Sequence, residues 1–279
     1  MVNIQNLTFA YPHRPLLFDN LNLNLQAGNI YGLLGKNGAG KTTLLKILSG
    51  LLFPLKGNVE VLQSEPRHRS PSFLQELYLL PEEFYLPMLT VSQYCDSFAL
   101  FYPHFDYTFF QQLLQEFELS SNDYLPDLSY GQKKKFLLAF GLATKSRLLL
   151  LDEPTNGLDI PSKSQFRRII AAAVSDERTI VISTHQVRDM ANLIDPIVIL
   201  DNGKIIFNHN LSETGQKLAV QIKVDEPEVS VLYYEKTLGG YAVLDLNRDG
   251  VEGKIDIELL FNAIINKRAQ IAALFGEEA

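Results

Sequence analysis

The start of the chain alternates between apolar and polar residues, which is the pattern of a half-buried β-strand. The turn-forming sequence YPHRP ends this first alternation, whose apolar members are Val2, Ile4, Leu7 and Phe9. A second alternation, LNLNL, ends at a Gly-Asn turn and places on one face Leu21, Leu23 and Leu25. The next segment, IYGLLG, is apolar throughout, which predicts a strand covered on both faces. We therefore expect two half-buried strands followed by a fully buried one.

The middle of the chain alternates between helical and strand patterns. The amphipathic segment TLLKILSGLL predicts a helix, and NVEVLQ predicts a strand. From about Leu89 to Ala143 the sequence is rich in aromatic residues and glutamine with helical periodicity, as in TFFQQLLQEFEL. The strand patterns RLLLLDEP, TIVISTH and PIVILDNGKIIF follow, with the helical pattern KSQFRRIIAAAV between the first two. Strands that alternate with helices predict an α/β fold with a parallel sheet, into which the helical stretch is inserted.

The pattern changes again after about Gly215. LAVQIKVDEP, VSVLYYEK and YAVLDL alternate like strands, and IELLFNAIINKRAQIAALF has helical periodicity. Between them, DLNRDGVEGKID from Asp245 to Asp256 is similar to a calcium-binding loop. Because the strand-like YAVL stands where such a loop needs an entering helix, we interpret the segment as a β-turn that leads to an Asp-capped helix. These patterns predict a small accessory module.

The composition excludes several classes of protein. The chain has 279 residues, of which 46% are hydrophobic and 20% charged, as expected for a folded protein rather than a disordered one. A net charge of −7 argues against a nucleic-acid partner. The single cysteine, Cys95, cannot form an internal disulfide and fits a reducing compartment. We see no secretory signal pattern and no apolar run near the roughly 18 residues of a spanning helix, so we expect no direct membrane insertion.

The densest cluster of glycines, GKNGAGKTTL, lies between a predicted buried strand and a predicted helix. From Gly35 to Thr42 it matches G-x-x-x-x-G-K-[ST], the pattern of a loop that wraps phosphate groups. Glycines let main-chain N–H groups approach a phosphate chain, and the helix that begins near Lys41 directs its positive dipole end at the same anion. Lys41 adds a charge for the outer phosphates, and the Thr42 hydroxyl is placed to hold Mg²⁺. A glycine-rich turn without a ligand is the alternative.

A pair of carboxylates follows the buried strand pattern RLLLL. Asp152 and Glu153 lie at the end of this strand, where the ligands of parallel sheets bind. Two adjacent carboxylates beside a triphosphate need a cation that shares their charge. We therefore assign Asp152 to the support of Mg²⁺ and Glu153 to the polarisation of the attacking water. Taken alone, such a pair is equally compatible with a surface turn.

The segment PDLSYGQKKKFLLAFGLA predicts a helix with a defined start. Ser129 is a credible N-cap, and Gly131 allows a close approach of the main chain. This would be a second helix N-terminus suited to phosphate, besides the one near Lys41, and one nucleotide cannot easily bind to both. A head-to-tail dimer, in which LSYGQ of one copy closes over the nucleotide of the other, resolves this; a plain capped helix is the alternative. The lysines at 133–135 are interpreted as a solvated helix face rather than a nucleic-acid patch.

Taken together and in this order, GKNGAGKT, LLLLDE and LSYGQ resemble the Walker A, Walker B and signature motifs of the ATP-binding subunits of ABC transporters. The resemblance covers roughly residues 1–213. It implies an α/β P-loop NTPase (ABC ATPase) fold with an antiparallel β subdomain and a helical subdomain at about 88–145, followed by a small C-terminal α+β module at 214–279. It also implies ATP and Mg²⁺ as cofactors and ATP hydrolysis as the activity.

The resemblance assigns roles to individual residues. Tyr11 matches the aromatic residue that stacks on adenine, with Phe9 as a nearby alternative. Asp159 matches the loop that couples the two sites of a dimer, and His185 matches the histidine that contacts the γ-phosphate. The catalytic pair is then Glu153 and His185. The implied metal ligands are Thr42, Asp152 and Glu82. The implied nucleotide-binding set is Tyr11, Gly35, Lys36, Asn37, Gly38, Ala39, Gly40, Lys41, Thr42, Thr43, Ser129, Gly131, Gln132 and Asp159.

Two positions depart from the family pattern. Tyr130 stands where the signature motif usually has glycine, so its side chain must point away from the nucleotide. Glu82 stands at the position of the family's Q-loop glutamine; a carboxylate there can still bind Mg²⁺ or its water, but it adds negative charge. The region after it, with Phe84, Tyr85 and the helical segment to Tyr124, resembles the surface that receives a coupling helix from a membrane subunit.

The resulting hypothesis is an ATPase that drives a membrane permease from the cytoplasmic face of the cell membrane. Two copies, or one copy and a related ATPase, bind two ATP between them, close, hydrolyse and reopen. The single cassette and its helical insert resemble subunits that serve export-type permeases. Two alternatives stay open: a soluble ABC-type ATPase acting on ribosomes, DNA or iron–sulfur assembly, and a nucleotide sensor without turnover. Glu153 and His185 argue against the sensor.

Overall fold

Twelve β-strands in three sheets and ten α-helices make up the described part of the computed structural model, which comprises residues 1–228, 231–248, 250–251 and 253–276. The strands are β1 (Val2–Ala10), β2 (Leu16–Leu25), β3 (Ile30–Leu34), β4 (Lys56–Val61), β5 (Leu77–Leu80), β6 (Leu148–Asp152), β7 (Thr179–Thr184), β8 (Ile197–Asp201), β9 (Lys204–His209), β10 (Leu218–Lys223), β11 (Tyr233–Thr237) and β12 (Gly240–Leu246). The helices are α1 (Lys41–Leu48), α2 (Pro71–Gln75), α3 (Val91–Phe98), α4 (Tyr107–Glu116), α5 (Tyr130–Ala143), α6 (Ile160–Ala173), α7 (Val187–Met190), α8 (Leu211–Lys217), α9 (Ile257–Asn266) and α10 (Arg268–Phe275).

The central sheet has the strand order β5-β6-β7-β3-β8-β9, and its first five strands are parallel. Strand β9 closes the edge by pairing antiparallel to β8. Every residue of β3, β6 and β7 is buried, which confirms the strands predicted from continuous apolar runs. Because β6, β7 and β3 are neighbours and run in the same direction, the segments that follow them meet at one edge of the sheet.

A smaller antiparallel sheet with the order β2-β1-β4 carries the predicted alternating strands. In β2 the leucines at 21, 23 and 25 are buried and the asparagines between them are exposed, as the sequence pattern predicts. One apolar cluster contains buried residues from this sheet, from α1 and from one side of the central sheet. Helix α1 is therefore held between two sheets, and its N-terminus has a fixed position.

The helical segment between β5 and β6 is built on aromatic packing. Phe110, Phe136 and Phe140 are at most 1% exposed. The ring of Tyr94 from α3 lies edge-to-face on Phe136 and Phe140, with centroid distances of 5.0 and 5.2 Å. Large buried rings contribute strongly to stability and hold their helices at fixed distances. Helix α5 is thereby fixed relative to α3 and to the sheet.

The chain beyond α8 forms the third sheet, with the order β10-β12-β11, and two helices. Helix α9 contacts β11, β12 and α7. Asp256 caps α9, because its Oδ1 accepts hydrogen bonds from the main-chain N–H groups of Glu258 (2.9 Å) and Leu259 (3.0 Å). The predicted Asp-capped helix is confirmed. The calcium-loop positions Asp249 and Glu252 lie outside the described residues.

The single helix predicted for the end of the sequence is two helices in the structure. The break lies at Lys267, which has φ −128° and ψ 36°. Helix α9 packs on the third sheet, whereas α10 contacts β9, where the Phe275 ring lies 5.2 Å from that of Phe207. A straight helix cannot satisfy both contacts, so the chain turns between them. No helix of the described residues is long and apolar enough to span a membrane.

Candidate active site

The glycine-rich loop connects β3 directly to α1. Gly38 and Gly40 have φ values of 82° and 109°, which residues with a side chain rarely adopt. The N-cap of α1 is Gly40, which has no side chain to accept a hydrogen bond from the first turn. The main-chain N–H groups of that turn and the positive end of the helix dipole are therefore available to an anion.

A cleft of about 640 Å³ opens beside this loop. The predicted nucleotide-binding residues that line it are Tyr11, Asn37, Gly38, Gly40, Lys41, Thr42 and Thr43. The other predicted site residues that line it are Glu82, Glu153 and His185. The structure thus brings one group of predicted residues together from the antiparallel sheet, the loop and the carboxyl edge of the central sheet. Its further lining residues, which the sequence patterns did not indicate, are Arg14, Pro15, Leu16 and Leu17.

Lys41 lies buried between the loop and the acidic pair. Its Nζ donates a hydrogen bond to the main-chain oxygen of Gly35 (2.8 Å) and lies 3.8 Å from Oε1 of Glu153. Burial lowers the pKa of Lys41, and the neighbouring carboxylates of Glu153 and Asp152 oppose this shift. The loop oxygen and the carboxylates therefore hold a cation at the helix N-terminus, where outer phosphates would bind.

Asp152 ends β6 and contacts the first turn of α1. Its Oδ2 accepts a hydrogen bond from the Thr42 hydroxyl (2.7 Å), and its Oδ1 accepts one from the Ser183 hydroxyl. Thr42 and Glu82 line the cleft, and Asp152 contacts the Thr42 hydroxyl. Such hydroxyl and carboxylate oxygens suit Mg²⁺, which takes few protein ligands and completes its shell with phosphate and water. Among the described residues, no group of three or more histidine, cysteine or acidic side chains is placed to hold a metal ion.

Glu153 is 4% exposed and has a left-handed backbone with φ 43°. Its Oε1 accepts hydrogen bonds from Nδ1–H of His185 (2.7 Å) and from the main-chain N–H of the same residue (3.0 Å). Its Oε2 is buried and accepts no hydrogen bond from the described residues. One oxygen of the carboxylate is thus oriented by His185, and the other is a buried acceptor without a donor among the described residues, as expected of a group that orients a ligand or a water molecule.

Tyr130 is turned toward the loop that carries Glu82. Its hydroxyl donates to the main-chain oxygen of Glu82 (2.9 Å), and its ring stacks on Phe84 with a centroid distance of 5.4 Å. The side chain of Glu82 accepts a hydrogen bond from Nδ2 of Asn156 (3.0 Å). These contacts connect the start of α5 to the cleft through the Glu82 loop. Both polar and aromatic contacts of the Tyr130 side chain are therefore made within its own chain.

The remaining predicted nucleotide-binding residues lie outside the lining of the cleft. Ser129 and Gln132 form a capping box at the start of α5, which confirms the predicted N-cap. Asp159 caps α6 by accepting a hydrogen bond from the main-chain N–H of Ser162 (3.0 Å). The other members of this group are Gly35, Lys36, Ala39 and Gly131. A single chain therefore brings most of the Walker A loop, Glu153 and His185 together on one cleft, but not the signature motif or Asp159.

The prediction that lysines 133–135 form a solvated helix face is wrong for Lys134. This side chain is 1% exposed, and its Nζ donates to the main-chain oxygens of Glu153 and Asn156. Burial lowers the pKa of Lys134 to about 8, against the opposing effect of nearby carboxylates. The uniform apolarity of FLLAFGLA, which follows it, is the signal that indicates a helix buried on all sides.

Tyr11 borders the cleft at the antiparallel sheet. The residue is 38% exposed, and its hydroxyl shares a hydrogen bond of 2.9 Å with the Thr43 hydroxyl. Phe9, the alternative adenine platform, is 5% exposed and supports the Tyr11 ring edge-to-face at 5.1 Å. Of the two, Tyr11 lines the cleft.

We expect Tyr11→Ala to weaken ATP binding by roughly 5- to 150-fold, because stacking of a base on an aromatic ring contributes about 1–3 kcal/mol. Tyr11→Phe removes only the hydroxyl that contacts Thr43 and should bind ATP nearly as well as the unchanged chain. Calorimetric titration with Mg-ATP measures both affinities. Inorganic tripolyphosphate is the control ligand, since it has no base; an equal loss of tripolyphosphate affinity in Tyr11→Ala would contradict the assignment.

The geometry defines a class of site. The glycine-rich loop lies between the parallel strand β3 and helix α1, and the acidic pair lies at the end of β6, two strands away from β3 in the central sheet. This arrangement is that of the phosphate site of a P-loop nucleotide-binding protein. Residues 18–156 match the family model described as ABC transporter. The chain belongs to the family of ABC transporter ATP-binding proteins, and the predicted P-loop fold class and ATPase class are confirmed.

Three relatives illustrate the breadth of this family. The putative ABC transporter ATP-binding protein MJ1572 of Methanocaldococcus jannaschii is 31% identical over 259 residues, which cover 86% of this chain and 91% of that protein. The SkfA peptide export ATP-binding protein SkfE of Bacillus subtilis is 31% identical over 212 residues, with coverage of 74% and 87%. The molybdate import ATP-binding protein MolC of Haemophilus influenzae is also 31% identical over 212 residues, with coverage of 74% and 81%.

Solved structures agree in fold. An ATP-binding subunit of an ABC transporter superposes with a TM-score of 0.70 at 23% identity, covering 76% of this chain and 91% of that one. The ATP-binding cassette MJ0796, solved as a dimer bound to ADP and Pi, superposes with a TM-score of 0.65 at 22% identity, covering 75% of this chain and 98% of that one. At these identities the likeness concerns the architecture alone.

Proposed function

We propose that this chain hydrolyses Mg-ATP between two cassette subunits and thereby drives a membrane permease. In this proposal residues 1–213 are the cassette and residues 214–279 are an accessory module. The observation that carries the proposal is the free, buried Oε2 of Glu153, which lies in a carboxylate oriented by His185 and adjoined by Lys41 at the phosphate loop. A binding module without turnover has no need for an oriented carboxylate at this position.

The residues divide the chemistry between them. Main-chain N–H groups of the loop and the Lys41 ammonium bind the phosphate chain, and Tyr11 receives the adenine. Thr42 and Asp152 would hold Mg²⁺ and Glu82 its bound water; the ion would neutralise charge on the phosphate oxygens. Glu153 accepts a proton from the attacking water. His185 keeps the Glu153 carboxylate in place and lies on the same cleft, where it would contact the terminal phosphate.

The head-to-tail dimer follows from where the signature residues lie. Ser129, Gly131 and Gln132 do not line the cleft of their own chain, so a second subunit is needed for them to meet a nucleotide. The partner is a second copy or a related ATPase. Nucleotide shared between two surfaces favours closure, and hydrolysis of its terminal phosphate favours opening. This cycle supplies the movement that a permease would use.

An apolar groove beside α3 fits the permease contact. Its volume is about 630 Å³, and its walls are the aromatic residues of α3 and the following turn, together with the end of α1 and the segment around α2. Phe101 and Leu51 line it and are 64% and 50% exposed. Such a groove suits the apolar face of an amphipathic helix. Helix α1 runs from the phosphate loop to this groove, which connects ATP binding to the proposed contact.

We expect Phe101→Glu to lower the amount of permease that co-purifies with the chain by roughly 30-fold, since loss of a central aromatic contact costs about 2 kcal/mol or more. Its ATP hydrolysis without permease should stay within about twofold. Leu100→Glu is the matched control, because Leu100 is 77% exposed and does not line the groove. The measurement is affinity purification from solubilised membranes of the source organism, followed by mass spectrometry.

Two results would redirect the proposal. If Leu100→Glu and Phe101→Glu lose a multispanning partner equally, the groove is not the contact. If the unchanged chain instead co-purifies with ribosomal or DNA-associated proteins, the soluble ATPase alternative is favoured. The acidic net charge of −7 argues against a nucleic-acid partner. In the transporter assembly, the chain lies on the cytoplasmic face of the membrane.

Export is the proposed direction of transport. The support is the single cassette with its helical insert, which resembles subunits of export-type permeases. The export relative SkfE and the import relative MolC are equally identical to this chain, so identity alone does not decide between them. Inside-out vesicles that contain the purified complex should accumulate cargo when Mg-ATP is added outside; movement of cargo in the opposite sense would contradict export.

A further inference from the structure

The buried Lys134 side chain connects α5 to the turn that carries the acidic pair. Lys134 lies in the second turn of α5, and its Nζ donates to the main-chain oxygens of Glu153 and Asn156, the latter at 3.1 Å. A buried ammonium group is costly unless acceptors replace its water. Here two carbonyl oxygens of one turn replace the water, and the centroid of the Tyr130 ring also lies 5.4 Å from Nζ. The contact is therefore specific rather than a by-product of packing.

These contacts concern the backbone of Glu153 in particular. With φ 43°, Glu153 has a left-handed conformation that is unfavourable for a residue with a side chain. Its main-chain N–H donates to the oxygen of Ser183 in β7 (3.0 Å), so the sheet holds one side of the residue. Lys134 holds the other side through the carbonyl oxygen. Because the direction of a side chain follows from its backbone, the two anchors together direct the carboxylate into the cleft.

We propose that Lys134 is a positioning residue for ATP hydrolysis: its ammonium group binds the carbonyl oxygens of Glu153 and Asn156 and thereby maintains the backbone conformation that aims the Glu153 carboxylate at the attacking water. Lys134 does not line the cleft, so it acts through Glu153 and not on the nucleotide. The inference rests on the proposed role of Glu153 as the residue that polarises water.

Lys134→Met tests this role, because it retains most of the side-chain volume and removes the donor. We expect kcat for Mg-ATP hydrolysis to fall by about 10- to 100-fold, the effect of displacing a catalytic group by about 1 Å. The KM and the affinity for Mg-ATP should stay within about twofold, since the phosphate loop is untouched. Lys133→Met is the matched control, because Lys133 is on the same helix and donates instead to the main-chain oxygen of Pro126 (2.9 Å).

Three further variants separate positioning from general stability. Lys134→Arg keeps a charged donor and should retain more kcat than Lys134→Gln, whose shorter side chain cannot reach both carbonyl oxygens. In a background of Glu153→Gln, adding Lys134→Met should lower the residual rate by less than about twofold, because the two residues act as one unit. Assays run well below the melting temperature of each variant, and Lys134→Gln serves in place of Lys134→Met if the latter does not fold.

The outcomes distinguish the inference from the function on which it rests. An unchanged kcat in both Lys134→Met and Lys134→Gln overturns the inference, as does a full additional loss in the Glu153→Gln background. Full activity of Glu153→Gln itself would overturn the proposed function. If Glu153→Gln is inactive and the Lys134 variants are normal, the function stands and the positioning role is rejected.

Discussion

Glu153→Gln should abolish ATP hydrolysis while leaving ATP binding nearly unchanged. The glutamine has the shape of the glutamate, and its oxygen can still accept the hydrogen bonds from His185 that orient the side chain. It cannot accept a proton, so the free position opposite His185 loses its basicity. Removal of a general base lowers kcat by roughly 10²- to 10⁴-fold. Phosphate release from Mg-ATP measures the rate, and calorimetric titration measures the affinity.

The same variant reports on the dimer. With hydrolysis blocked, Mg-ATP should hold two chains together, and light scattering should show twice the mass of the nucleotide-free protein. Glu83→Gln is the control, since Glu83 carries an exposed carboxylate that does not line the cleft. A Glu153→Gln variant with the full hydrolytic rate would show that another group polarises the water. A strictly monomeric profile with Mg-ATP would count against the shared nucleotide.

Lys41→Ala should weaken Mg-ATP binding by at least roughly 100-fold. The substitution removes charge-assisted hydrogen bonds to phosphate, which contribute about 1.5–3 kcal/mol each. It also leaves the Glu153 carboxylate, now 3.8 Å from the ammonium group, without that cation beside the phosphate loop. The remaining negative charge would repel the nucleotide. Calorimetric titration measures the loss, and circular dichroism confirms that the variant folds.

Lys46→Ala is the matched control for this experiment. Lys46 carries the same charge on the same helix but lies in its last turn, away from the cleft. Its loss should leave Mg-ATP affinity within about twofold. If Lys41→Ala and Lys46→Ala weakened binding to the same small extent, the affinity would come from long-range charge rather than from a specific contact at the loop.

The phosphate loop could be predicted because its signals are local. Gly38 and Gly40 provide the backbone freedom, and the apolar runs on either side define the strand and the helix within a few residues. The same holds for the caps at Ser129 and Asp256, where a side chain bonds to main-chain groups two or three residues further on. Interactions between residues so close in sequence can be recognised from short sequence motifs.

Contacts between distant segments could not be predicted in the same way. Lys134 has the sequence context of a solvated lysine run, and its burial depends on the aromatic packing that encloses α5. The break at Lys267 depends on two surfaces, the third sheet and β9, that α9 and α10 must meet separately. Neither surface is adjacent in sequence to the residue that it affects.

By itself, the sequence determined the strand–loop–helix unit of the proposed phosphate site, the α/β class and the capped helix starts, because each depends on neighbours along the chain. Tertiary structure alone decided that His185 orients Glu153, that Tyr130 and Asn156 bond to Glu82, and that Lys134 holds the backbone of the acidic pair. The physical reason is the order of the parallel strands, which places the ends of β3, β6 and β7 side by side. Hydrogen bonds across that edge act over a few ångströms, whatever the separation in sequence.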